Sequence, residues 1–173
     1  MEGGRNVDRT VSRFIRYAEC ASESHNEKAF CEYMEQELAG MGIPFERQEL
    51  GNEVVTDGWN ILARIPGRSG KTPFLFVFHL DTAAPSNQVE VCVEGGCIRS
   101  KGSSVLGADG KLAIAVVMEA VERLMQEGEI NRPIELLFTV CQELGLHGAK
   151  YADYSRIESE EAIVIDHYVR GEV

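Results

Sequence analysis

Residues 74–82 read Phe-Leu-Phe-Val-Phe-His-Leu-Asp-Thr, and this stretch decides the fold. A run apolar on both faces suits a central strand covered by helices rather than a half-solvated one. His79 and Asp81 stand where that strand would emerge. Three other segments repeat the arrangement. Residues 107–115 (GADGKLAIA) place Asp109 at the opening of a long apolar helix, residues 138–145 (FTVCQELG) place Gln142 and Glu143 after a strand, and residues 162–167 (AIVIDH) end a buried-strand pattern at Asp166. Imidazole and carboxylates converging at one edge of a sheet are how a protein holds a borderline-to-hard divalent cation. The recurrence points to a metal-dependent hydrolase.

Outward from this core, Val7, Val11, Phe14, Ile15 and Ala18 form a helical stripe over 7–19. Ser24 and Glu27 have the S-x-x-E spacing of a capping box, followed by Phe30, Met34, Leu38 and Met41 on a second helix ended by Gly40 and Gly42. Strands are expected at 44–49, 59–65, 73–79, 133–140 and 161–166. A hairpin is expected over 89–99 around Glu94-Gly95-Gly96, and helices near 110–127 and 146–152. The apolar LAIAVVM stretch predicts that the long helix packs on the sheet. Helices first, then strand and helix in alternation, give an α/β fold with a mixed β-sheet flanked by helices.

A chain of 173 residues accommodates one real core. Its net charge of −11 argues against nucleic acid or an anionic membrane as partner. No apolar run approaches the ~20 residues of a membrane helix, the first ten residues lack the apolar stretch of a secretion signal, and five cysteines make no disulfide framework. These features lead to the expectation of a reduced, cytoplasmic protein.

Each polar residue has a plain structural reading beside the chemical one. On extended backbone the His79 and Asp81 side chains of H-x-D point the same way, so a carboxylate can orient a metal-binding imidazole; His79 alone could equally finish a strand. Asp109 at a helix N-terminus is favoured by the helix dipole without any function. A phosphate loop is rejected around Gly102 and Gly107, because the Lys-Ser/Thr pair is missing and Asp109 would repel phosphate. Glu143 in isolation is a solvated loop acid. Of the neighbours Asp166 and His167, only one can face the site, and Asp166 is favoured.

The ordered set is more specific than its parts. His79-x-Asp81, the Gly-Ala-Asp109 turn, the strand ending in x-Glu143-x-Gly145, and Asp166 after an apolar strand resemble the di-zinc exopeptidase family of peptidase T, carboxypeptidase G, aminoacylase and succinyl-diaminopimelate desuccinylase. ASESHNEKAFCEYMEQEL and FTVCQELGLHGAK look most like the peptidase T-like branch. The resemblance implies that His79 and Asp166 bind one Zn2+, that Asp109 bridges two, that Glu143 binds the second, and that Asp81 stands behind His79. Co2+ or Mn2+ are alternatives to zinc. It further implies a small peptide substrate and a catalytic α/β domain interrupted by a lid through which full-length relatives dimerise.

Two departures from the family pattern matter. Gln142 stands where the family carries the glutamate that acts as general base, and a carboxamide cannot accept that proton. The sequence also stops before a lid and before the half that supplies the last histidine ligand, which neither His25, His147 nor His167 matches. The expectation is therefore residues 1–173 as an N-terminal portion of a metallopeptidase catalytic domain, with activity impaired by Gln142 and truncation. A non-catalytic metal- or peptide-binding relative is the alternative, and an α/β interaction domain with capped strand ends is the third reading.

Overall fold

The computed structural model describes residues 3–166, with side chains from Arg9 onward. In chain order the elements are α1 (Gly3–Ala18), α2 (Lys28–Gly40), β1 (Phe45–Gln48), β2 (Asn60–Ile65), β3 (Phe74–His79), β4 (Val91–Glu94), β5 (Cys97–Ser100), α3 (Ala108–Glu127), β6 (Ile134–Thr139), α4 (His147–Lys150) and β7 (Glu161–Val164). The mixed sheet has the order β1-β2-β6-β3-β7, while β4 and β5 form a separate hairpin. Gly95 and Gly96, with φ of 58° and 77°, close that hairpin in the doubly left-handed turn that matches strand twist.

Strand periodicity assigns the two faces. Ile61, Ala63 and Ile65 of β2, Phe78 of β3 and Leu136 and Phe138 of β6 join Phe14, Tyr17, Phe30, Met34, Ile114 and Met118 in the main core. The alternate residues Leu62, Leu75 and Leu137 form a smaller cluster with Val77 and Ile157 on the other face. Both faces of the 74–78 run pack against apolar clusters, with Leu75 and Phe78 buried and Phe74, Phe76 and Val77 half-buried. The three long helices share the main core, with α1 on α3, α3 over β3 and α2 over β2.

Two expectations change. The capping box does not form: the Glu27 side chain bonds no helix amide, and the Lys28 amide that opens α2 donates to Asp57 instead. Ser24 Oγ instead donates to Asp81, and the Glu27 carboxylate accepts from Thr56 and Cys141. Buried acceptors with unmet demand outcompete an exposed helix end. The apolar strand before Asp166 is also not buried. All four β7 residues are exposed, because β7 is the sheet edge and pairs only with β3 among the described residues. The long helix α3 packs on the sheet as expected, with Ile114, Ala115 and Met118 buried, and turns Leu112 and Val116 outward. His167 lies outside the described residues.

Parallel pairing determines where the strands deliver their polar residues. β3 runs parallel to both β6 and β7, with His79 opposite Thr139 and Val77 opposite Val164. Continuing the second register by two residues brings Asp166 level with His79. The carboxyl ends of these strands thus share one edge, where open α/β sheets hold their ligands.

Away from this edge, a buried ion cluster locks α1 to its neighbours. The Arg13 guanidinium, 7% exposed, meets Glu37 at 2.8 Å and Glu119 at 2.5 Å, and also pairs with Glu122. Arg13→Met keeps most of the volume but leaves Glu119 and Glu122 with Arg9, and Glu37 with the Tyr17 hydroxyl, so a stability loss of about 1.5–3 kcal/mol is expected in urea unfolding. A loss under ~1 kcal/mol would contradict this role for Arg13.

Candidate metal centre

The site begins with a glycine. The backbone of α3 departs from helical geometry at Asp109 (φ −62°, ψ 130°) and at Gly110 (φ 72°, ψ −60°), so the carboxylate sits on a turn ahead of the regular helix. A Cβ on Gly110 would lie 2.7 Å from the His79 carbonyl oxygen and 2.9 Å from its Nε2. The missing side chain lets the turn carrying Asp109 rest against the end of β3.

His79 is almost fully buried and Asp81 fully so. The His79 Nδ1 lies 2.9 Å from the Asp81 carbonyl oxygen and 3.4 Å from the Asp81 carboxylate. This occupies Nδ1 and directs Nε2 outward, 3.3 Å from Asp109 Oδ1. Fixing one ring nitrogen to present the other is the usual support of a metal-binding imidazole. Burial opposes the charged ring, but Asp81 and Asp109 outweigh it and raise its pKa to about 9. Burial likewise resists ionisation of Asp81, yet His79, the Ser24 hydroxyl and the amides of Gln142 and Glu143 hold its carboxyl below the usual range.

One ligand atom from each of His79, Asp109 and Asp166 falls within 4.8 Å of the others. Glu143 stands outside this group, exposed on the turn after β6. Its pKa is pushed up first by partial burial, with Asp109 and Asp81 adding to the rise and His79 opposing it, so it shares the field of the cluster. Gln142 Nε2 donates to Asp166 Oδ2 at 2.9 Å. His25 faces the Val55 carbonyl and His147 opens α4, and neither joins the group. An imidazole with two carboxylates is a donor set suited to zinc, cobalt or manganese.

An apolar groove of about 520 Å³ leads away from Asp109 and Asp166, walled by Leu112, Val116 and Ile165. Sequence reading missed the backbone supports of the site. Asn60 accepts the Val140 amide and Glu27 the Cys141 amide; their only signal was polar residues at positions the structure buries completely.

Residues 60–165 match the model of peptidase family M28. YqjE of Bacillus subtilis is 28% identical over 161 residues, covering 93% of this chain and 43% of the relative. A peptidase T-like protein of Yersinia pestis is 27% identical, covering 96% of this chain and 49% of the relative. The crystal structure of aminopeptidase PepT from Bacillus cereus superposes with a TM-score of 0.89 at 27% identity, covering 92% of this chain and 43% of that one. The chain therefore spans less than half the length of these relatives.

Gly110→Ala combines a left-handed backbone with the overlap on His79, and is expected to cost at least about 3 kcal/mol in chemical denaturation. Gly42→Ala, at φ 71° with open space around it, isolates the backbone cost of about 1–2 kcal/mol. Equal losses would refute the close approach.

Proposed function

The chain belongs to peptidase family M28, among the zinc exopeptidases, and on that premise we propose that it carries the metal-binding edge of a hydrolase acting on peptide or amide bonds in small peptides. The observation that carries this reading is the convergence of His79, Asp109 and Asp166 at the carboxyl end of parallel strands. In this proposal His79 and Asp166 hold one Zn2+, Asp109 is shared, and Glu143 turns toward a second cation. When bound, such ions activate water and polarise a carbonyl. The domain assignment belongs to the same proposal: an N-terminal portion of a metallopeptidase catalytic domain, with a lid and further ligands supplied by sequence outside it. A cytoplasmic location fits the five thiols, none of which is bridged.

The chain's own residues have separable tasks. Asp81 keeps Nδ1 of His79 occupied and its Nε2 available. The carboxylates of Asp109 and Asp166 supply negative charge that a cation neutralises. Gln142 occupies the general-base position, where its carboxamide nitrogen donates to Asp166 and its oxygen is too weak a base to take a proton from water. That donor contact supports the second reading, a relative that binds metal or peptide without turnover.

Restoring the carboxylate separates the two readings. In a full-length form that also carries the lid and the remaining ligands, with zinc present, Gln142→Glu is expected to raise tripeptide hydrolysis by about 10²–10⁴-fold, the usual range for a general base. No gain, with zinc still bound, would overturn the hydrolase reading and leave the binding one.

Metal affinity also carries a pH signature. The His79 pKa of about 9 means that the metal-free ring is protonated at neutral pH, so a cation must displace that proton. Affinity is then lost as pH falls, by about tenfold per pH unit between roughly pH 8 and pH 6 in zinc calorimetry. A flat profile would contradict a ring that is charged at neutral pH and must lose its proton to a cation.

A further inference from the structure

β6 ends at Thr139, and the next four backbone amides go to side chains instead of strands. Val140 donates to Asn60 Oδ1 at 3.2 Å, Cys141 to Glu27 Oε1 at 3.0 Å, and Gln142 and Glu143 to the two Asp81 oxygens at 2.9 and 3.1 Å. The acceptors Asn60, Glu27 and Asp81 are all fully buried and come from three different parts of the chain. Cys141 is the strained member of this series. Its φ of 52° is left-handed, a conformation that costs a non-glycine residue on the order of 1 kcal/mol or more.

Glu27 meets Cys141 twice, since Oε1 accepts the amide and, at 3.2 Å, the thiol. Its Oε2 accepts the Thr56 hydroxyl at 2.6 Å. The Glu27 carbonyl accepts the amides of Phe30 and Cys31, tying the residue to the start of α2. Its side chain caps no helix amide, so the carboxylate is committed to the 141 turn and to Thr56. We infer that Glu27 is a positioning residue: it holds Cys141 in the left-handed turn that presents Gln142 and Glu143 to the Asp109–Asp166 edge. The inference deepens the metallopeptidase reading and rests on it for its consequence.

The consequence follows from the one-residue spacing. If Cys141 relaxes to ordinary φ, Gln142 and Glu143 swing away from the Asp81 oxygens that fix them, and Glu143 leaves the field of the cluster. Glu27→Gln keeps an oxygen for the Cys141 amide, whereas Glu27→Asp retains the charge but falls one methylene short. Length, and not charge, should therefore decide the outcome.

Two readouts test this on the chain as it stands. In amide hydrogen exchange, Glu27→Asp is expected to speed exchange at Cys141, Gln142 and Glu143 by at least tenfold while Leu136 and Phe138 of β6 stay protected. Glu27→Gln is expected to remain within about threefold of wild type. In zinc chloride calorimetry, Glu27→Asp is expected to lower affinity for the second, Glu143-side cation by about 10–100-fold, as loss of a supporting partner does, and to leave the first binding step unchanged. It should do nothing further in a Glu143→Ala background. Unchanged exchange in Glu27→Asp, or an equal and additive affinity loss in the Glu143→Ala background, would overturn the inference. Wild-type protein that binds no zinc would defeat the metal reading instead, and exchange would still judge the grip of Glu27.

Discussion

A carboxylate with no exposure to water has to be surrounded by donors, and Asp81 meets this demand by drawing separate parts of the chain together. It takes the Ser24 hydroxyl from the loop before α2 and the Gln142 and Glu143 amides from the turn after β6. It also stands against the buried ring of His79. Losing any one of these partners leaves a buried charge less fully compensated, so the loops are held together. The parallel register of β3 with β6 and β7 makes the gathering possible, because it brings the ends of all three strands to one edge. Gly110 completes it by letting the Asp109 turn sit against His79.

Much of the fold was legible because hydrophobic period was unambiguous where burial is greatest. The 74–78 run reads as a central strand and is one, though Phe74, Phe76 and Val77 are only half-buried. Phe30, Met34 and Leu38 read as one helix face and are fully buried. The hairpin at Gly95-Gly96 follows from two residues that tolerate positive φ. Reading failed where local sequence and tertiary demand disagree. Ser24 and Glu27 have capping-box spacing, but each is claimed by a buried partner elsewhere. β7 is as apolar as a core strand, yet among the described residues it pairs on one side only, and Ile163 and Val164 are exposed. Apolar composition reports a tendency to be covered, not the neighbour that does the covering.

For the site, sequence identified residue types at strand ends but not their distances. His79, Asp109 and Asp166, separated by 30 and 57 positions, come together through parallel pairing that no local pattern encodes. Glu143 had the same sequence signal and stands apart from that group. The support from Asn60 and Glu27 was not legible, since a polar residue at the start of a strand or helix looks like any solvated one until its partner is known. Gln142 is the converse case: its chemical deficit was evident from residue type alone, while its contact with Asp166 required coordinates.

The central claim is that His79, Asp109 and Asp166 jointly hold a divalent cation. Anomalous diffraction at the zinc edge, from crystals grown with stoichiometric zinc, tests it most directly. The expected result is a single strong peak about 2.0–2.2 Å from His79 Nε2 and from one oxygen of each carboxylate. Well-ordered side chains at this edge with no peak between them, or a peak bound by other residues, would contradict it.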